Sequence, residues 1–215
     1  MPSQLTGLFK KLTWNDFRGP VPQGTQFAAM TSSNFTITPN PLKFVHAGSK
    51  FQLDDSLTMA IVFNSSTSWK LGTLSQWPNN LQDELLDHEQ GHYDITALVA
   101  RDLFIKLMNL KANNTYATVN DGQTDFNWWI NLYRGNANKI QTAYDSETGH
   151  SQANVFVPST NMFTPPHQKG GPQVKWERLI ASAFTTVRAS GELAPDGTPY
   201  KMELMDILKN ANITP

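Results

Sequence analysis

The sequence contains no cysteine among its 215 residues. This absence excludes thiol catalysis, cysteine-rich zinc sites and disulfide cross-links. Long apolar runs are missing too, because no stretch approaches the roughly 18 residues that a membrane-spanning helix needs. The segment from Met1 to Trp14 also lacks the apolar core of about 7–15 residues that marks a secretory signal peptide, so no leader is expected there.

An excess of charge of either sign is missing as well. Lysine and arginine number 17 against 18 aspartates and glutamates, which gives a formal net charge of −1. A nucleic acid or an anionic membrane that binds through its charge is therefore not an expected partner. The sequence also has neither the glycine-rich loops of nucleotide-binding folds nor the G-x-S-x-G elbow of serine hydrolases.

The residues that are present suffice for a globular chain, since 39% of them are hydrophobic. The length predicts one domain, or one domain with an appendage. A chain of this length buries about 70% of its extended-chain surface, so it does not need a metal or a disulfide in order to fold. A bound metal ion would therefore serve chemistry.

The residue pattern predicts an α+β fold. Short β-type runs in residues 5–63 predict a small antiparallel sheet, and residues 57–63 form its clearest strand. Apolar residues at three- and four-residue steps predict one long helix over residues 81–111 and a second over residues 124–148. A turn at residues 120–122 separates them, and the short connection predicts that the two helices pack antiparallel.

The C-terminal part of the chain has a different pattern. Residues 158–172 are rich in proline and glycine and predict a loop, followed by helices over residues 175–190 and 200–211. We therefore expect a main domain over residues 1–172 and a helical C-terminal extension over residues 173–215. The extension can equally be part of the same domain.

The first long helix contains the pattern H-E-x-x-H, formed by His88, Glu89 and His92. Positions four apart share one face of a helix, so both imidazoles can reach a single Zn²⁺ at about 2.0–2.1 Å. Glu89 is then close enough to act as the general base toward a water that the zinc activates. Gly91 costs the helix roughly 0.5–1 kcal/mol relative to alanine, which predicts close approach of a neighbouring element. These features predict a zincin-like site.

A catalytic zinc usually has three protein ligands and one open position. The end of the second helix offers candidates for the third ligand, and antiparallel packing would bring that end near the first helix. We favour His150, because imidazole is the commonest protein ligand at such sites and the chain can turn inward just past the helix. Asp145 would then orient a ligating histidine, and Asp145 or Glu147 is the alternative ligand. His46 and His167 are the other two histidines of the chain.

Further segments extend this pattern: L-T-W-N-D-F-R-G at residues 12–19, Phe63 with Ser68-Trp69, and Y-D-x-x-T-x-H at residues 144–150. Together with H-E-Q-G-H-Y-D-I at residues 88–95, they resemble a bacterial family, domain of unknown function 922, whose members are predicted secreted zinc-dependent proteases. The resemblance covers residues 12 to about 157.

The resemblance implies a zincin-like protease and places Tyr144, Asp145, Thr148 and His150 at its active site. Tyr144 is a candidate catalytic residue that would polarise the scissile carbonyl, and a core aromatic is the alternative. The family also implies export to the periplasm or the extracellular space. Because this chain shows no leader, a cytoplasmic location stays open.

The resulting hypothesis is a zinc metallopeptidase that hydrolyses peptide or protein substrates. A substrate peptide is expected to add in extended form beside an edge strand, for which residues 57–63 are the candidate. Two alternatives stay open: a non-catalytic zinc-containing binding or scaffold module, and a zinc amidase that acts on cell-wall peptides. Substrate specificity and oligomeric state do not follow from the sequence.

Overall fold

The computed structural model describes residues 3–25, 27–148, 155–157, 162–164 and 171–185, and its architecture is α+β. Seven short strands lie before the helices in these residues: β1 Gln4–Thr6, β2 Ala29–Met30, β3 Ser33–Thr38, β4 Phe44–Ala47, β5 Lys50–Leu53, β6 Thr58–Phe63 and β7 Trp69–Lys70. After a short 3-10 turn, the chain continues through α1 Asn79–Asn113, α2 Val119–Thr148, β8 Val155–Val157, β9 Met162–Thr164 and α3 Gly171–Thr185.

The largest sheet has three strands in the order β1-β6-β3. Strand β6 is the predicted clearest strand, and its alternate residues Met59 and Ile61 are buried in the core, as the two-residue period of a strand requires. Two expectations are corrected. The sheet is mixed, because β1 pairs parallel to β6 whereas β3 pairs antiparallel. In addition, β6 is the central strand, paired with β3 along its length and with β1 over its first half, and so it is not the edge strand that was expected to receive a substrate peptide.

The two long helices pack antiparallel, as the sequence predicted. Lys106 lies 3.8 Å above the ring of Trp129 near one end of the pair, and Gln141 reaches His92 toward the other. The predicted turn at residues 120–122 is wrong, because these residues are helical. Thr118 and Asp121 cap this helix reciprocally, each side chain accepting a hydrogen bond from the other residue's backbone N–H at 3.1 Å.

Helix α1 runs through the middle of the core. It contacts strands β3 and β6 as well as helices α2 and α3. Every residue from Ile95 to Ile105 is buried, which is the pattern of a helix covered on all sides. No helix in the described part of the chain is long and apolar enough to cross a membrane.

Helix α3 belongs to the same core. Trp176, Ile180 and Ala183 are buried in one cluster with α1 and α2, and the guanidinium of Arg101 donates to the Ala183 carbonyl at 2.9 Å. The expected boundary after residue 172 therefore falls inside a helix that packs with the main domain. Strand β9 also lies within the predicted loop, which is a correction to that prediction. The helix predicted over residues 200–211 lies outside the described residues.

Gly122 and Gly135 of α2 offer a matched test of this packing. A Cβ at Gly122 would overlap the ring of Phe44, whereas a Cβ at Gly135 would meet no atom within 4 Å. We expect Gly122→Ala to lower the free energy of unfolding by about 1–3 kcal/mol, the usual cost of overpacking. Gly135→Ala should raise it by roughly 0.5–1 kcal/mol, since only helix propensity changes. Chemical denaturation measures both, and equal effects would contradict the close contact at Gly122.

Candidate metal centre

The H-E-x-x-H residues lie in the first half of α1, where the helix is covered by α2 and α3. His88 and His92 are one helical turn apart and face the same side, with their Nε2 atoms 3.1 Å apart. His88 is buried, and the side chain of His92 is 15% exposed. The Nε2 atoms of the two rings therefore face a shared point.

Helix α2 brings Asp145 to that point. Its Oδ1 lies 3.3 Å from His88 Nε2 and 3.0 Å from His92 Nε2. The ligand atoms of all three residues lie within 4.8 Å of one another, which makes them a possible metal-binding group. Two imidazole nitrogens and one carboxylate oxygen form a donor set that suits zinc.

The electrostatics of this group follow from its burial and its contacts. Burial favours the neutral form of Asp145, but hydrogen bonds and charge interactions with His88 and His92 outweigh it and hold the pKa of this carboxyl well below its usual range. Burial also favours neutral His92, yet the interactions with Asp145 and Glu89 raise the pKa of its ring. A cation held by these three donors would bind neutral imidazoles and an ionised carboxylate.

Glu89 supplies the observation that tests whether a metal fits here. Its side chain is 3% exposed, and Oε2 is fully buried without a hydrogen-bond partner among the described residues. A buried carboxylate oxygen with no donor is costly in free energy. A cation with its water beside the histidines would supply that donor, so the residues present fit a metal centre.

The opposite wall of the site is an extended segment, Ala29 to Ser33, which includes β2 and the start of β3. Two hydrogen bonds hold it on α1: Thr31 Oγ1 donates to the Glu89 carbonyl at 3.1 Å, and the hydroxyls of Ser33 and Thr96 are 2.8 Å apart. Between this segment and α1 lies an open pocket of about 440 Å³, whose lining includes His88, Glu89, His92, Gln141 and Asp145.

A family model described as "Bacterial protein of unknown function (DUF922)" matches residues 13–151 of this chain, which is well over half of it. The chain belongs to this family. No curated protein and no solved structure matches it. The family region contains His88, Glu89, His92 and Asp145, and it ends before α3 begins.

Tyr144, which the family resemblance places at the active site, lies in the core of the protein. It is fully buried, its ring stacks on the His88 ring at 4.7 Å, and its hydroxyl donates to the His88 carbonyl at 3.2 Å. Burial raises the pKa of this phenol well above its ordinary value. In this position the hydroxyl is not among the groups that line the pocket, which favours the core-aromatic alternative, and the polarising role stays a prediction.

The other candidate ligands divide into two groups. Glu147 accepts a hydrogen bond from Trp176 Nε1 at 3.0 Å and is not part of the donor group. His46 lies in the β4–β5 hairpin with its ring 4.5 Å from that of Phe51. His150 and His167 lie outside the described residues, so the preferred third ligand stays a prediction.

The sequence reasoning missed Gln141, which contacts the outer nitrogen of a candidate ligand. Its Oε1 lies 2.5 Å from His92 Nδ1, while its Nε2 donates to the His92 carbonyl at 2.8 Å. Gln141 precedes Asp145 by four residues and so shares its helix face, which is the signal that would have found it. Gln173 contacts His88 in a comparable way, but it comes from a distant part of the chain and no local pattern marks it.

Two alanine variants separate the possible third ligands. We expect Asp145→Ala to weaken Zn²⁺ binding more than 100-fold, since loss of a direct ligand exceeds the roughly 10–100-fold effect of a supporting residue. If Asp145 is the ligand, His150→Ala should weaken Zn²⁺ binding by no more than that smaller factor. Zinc titration against a competing chelator measures both affinities. Metal loss in His150→Ala with parental affinity in Asp145→Ala would restore His150 as the ligand.

Proposed function

We propose that this protein is a zinc-dependent peptidase of the zincin type, in which His88, His92 and Asp145 hold the metal and Glu89 is the general base. The observation that carries the proposal is the convergence of these three donors beside Glu89, whose buried Oε2 has no hydrogen-bond partner among the described residues. The open pocket next to them provides space for a substrate. These features favour hydrolysis over a purely structural zinc site, which would be closed.

A zinc ion held by these residues would polarise the substrate carbonyl and make water a stronger acid. Glu89 accepts a proton from the attacking water at its buried carboxylate, while the water oxygen forms a bond to the carbonyl carbon. The same carboxyl then gives that proton to the amide nitrogen as the C–N bond breaks. One water is consumed, and a carboxylate and an amine are released.

The pocket wall supports a peptide as the substrate. The segment from Ala29 to Ser33 is extended and runs along the pocket opposite the donor group. An extended peptide can lie beside such a backbone, where main-chain groups bind it independently of its sequence. This segment replaces residues 57–63 as the proposed substrate-binding strand, because β6 is the central strand of its sheet.

The test of this mechanism is Glu89→Gln. The change keeps the shape of the side chain and all three metal donors, but it removes the base. We expect peptidase turnover to fall at least about 100-fold while Zn²⁺ affinity stays near the parental value. Glu84→Gln is the matched control, because it makes the same change on α1 at a residue that does not line the pocket, and it should keep full turnover.

Cleavage is measured on a panel of proteins, unstructured peptides and muropeptides. Equal turnover by Glu89→Gln and the parent would show that Glu89 is not the base. Cleavage of muropeptides alone would identify the amidase, and zinc binding without any cleavage would identify a non-catalytic module.

Removal of the metal should separate activity from folding. Among the described residues, the apolar cluster formed by α1, α2, α3 and the sheet includes none of the three proposed metal donors. We therefore expect a chelator to abolish turnover while the helical circular dichroism signal is retained. Added Zn²⁺ should restore turnover at about one ion per chain. Loss of the helical signal on chelation would instead indicate a structural metal.

A further inference from the structure

Gln173 is a buried polar residue on α3, beyond the region that the family model matches. It is 3% exposed and lies against His88 and Tyr144. Its Oε1 is 3.3 Å from His88 Nδ1 and 3.3 Å from the Tyr144 hydroxyl. Its Nε2 is 3.1 Å from Glu177 Oε1 and 3.0 Å from the same hydroxyl. Both ends of the amide are therefore engaged inside the core.

These contacts determine which way the amide points. A carboxylate only accepts hydrogen bonds, so the amide nitrogen of Gln173 faces Glu177 and its carbonyl oxygen faces His88. His88 Nδ1 is then the atom that donates. A histidine that binds a metal is neutral and carries one N–H. With that N–H on Nδ1, the lone pair of His88 is on Nε2, which is the nitrogen that faces Asp145.

Gln141 determines in the same way which nitrogen of His92 carries the N–H. The backbone carbonyl of His92 only accepts, so it fixes the Gln141 amide nitrogen and turns Oε1 toward His92 Nδ1. Each histidine therefore has one carboxamide on its outer nitrogen, one from α2 and one from α3. Side chains that hold the outer N–H of a ligating histidine set its tautomer and orientation.

We propose that Gln173 is a positioning residue of the metal centre, and that α3 is therefore part of this centre. This inference rests on the metal site proposed above. Gln173 holds His88 with Nε2 directed at the metal position, and Glu177 holds Gln173. The metal centre thus extends past residue 151, where the family match ends.

The experiment measures Zn²⁺ affinity of the full chain against a competing chelator, with thermal unfolding recorded in parallel. Gln173→Met keeps the length of the side chain and removes its acceptor, so we expect affinity to fall about 10–100-fold. Gln173→Asn keeps an amide but withdraws it from His88, so it should give a similar loss of affinity. It serves as the test variant if the methionine variant does not fold.

Rescue separates positioning from packing. In the exchange Gln173→Glu with Glu177→Gln, a carboxylate oxygen accepts from His88 and the hydrogen bond between the two residues is kept in reverse. Affinity should return to within a few-fold of the parent. The control Ile180→Val trims a buried side chain of α3 away from the site, so it should lower the unfolding temperature without changing affinity.

Parental affinity in folded Gln173→Met and Gln173→Asn would overturn the proposal, even if both variants unfold at lower temperature. Failure of the exchange to restore affinity would also overturn it, because the loss would then reflect packing. If the parent protein itself binds no Zn²⁺, the proposed metal site is wrong and this inference is wrong with it. If the parent binds Zn²⁺ and the folded Gln173 variants keep its affinity, only this inference is wrong.

Discussion

The contact between Gly91 and Tyr144 is the constraint on which the site depends. A Cβ at residue 91 would overlap the Tyr144 hydroxyl, so only glycine lets α2 approach α1 this closely. The close approach allows the Tyr144 ring to stack on His88 and places Asp145, the next residue, within reach of both imidazoles. A glycine that weakens α1 as a helix therefore stabilises the geometry between the helices.

The polar groups around the histidines form a network inside an apolar core. Gln141, Gln173 and Tyr144 connect the donor group to three helices, while Trp176 packs edge-on against Tyr144. Such groups are tolerated in a core only when their hydrogen bonds are made, and these are. The exception is Oε2 of Glu89, which has no hydrogen-bond partner within the described part of the chain. An unsatisfied polar atom at this position is consistent with the proposed reaction site.

Local sequence patterns predicted much of the fold and part of the site. The apolar period placed both long helices, the glycine at position 91 predicted a close neighbour, and the H-E-x-x-H spacing placed two imidazoles on one face. The start of α2 was missed because Asn120-Asp121-Gly122 is typical of a turn, whereas the reciprocal cap between Thr118 and Asp121 makes it helical. Parallel pairing of β1 with β6 was missed because it joins segments far apart in the chain.

The sequence by itself determined which residues could supply chemistry, because periodicity and residue type are local properties. Only the tertiary structure decided which of them meet. Asp145 reaches the two histidines and Glu147 does not, because these two residues lie on different faces of α2 and Glu147 instead bonds to Trp176. Gln173 reaches His88 across 85 positions of sequence, since the packing of α3 on α1 is set by burial of apolar side chains that are remote from one another in the chain.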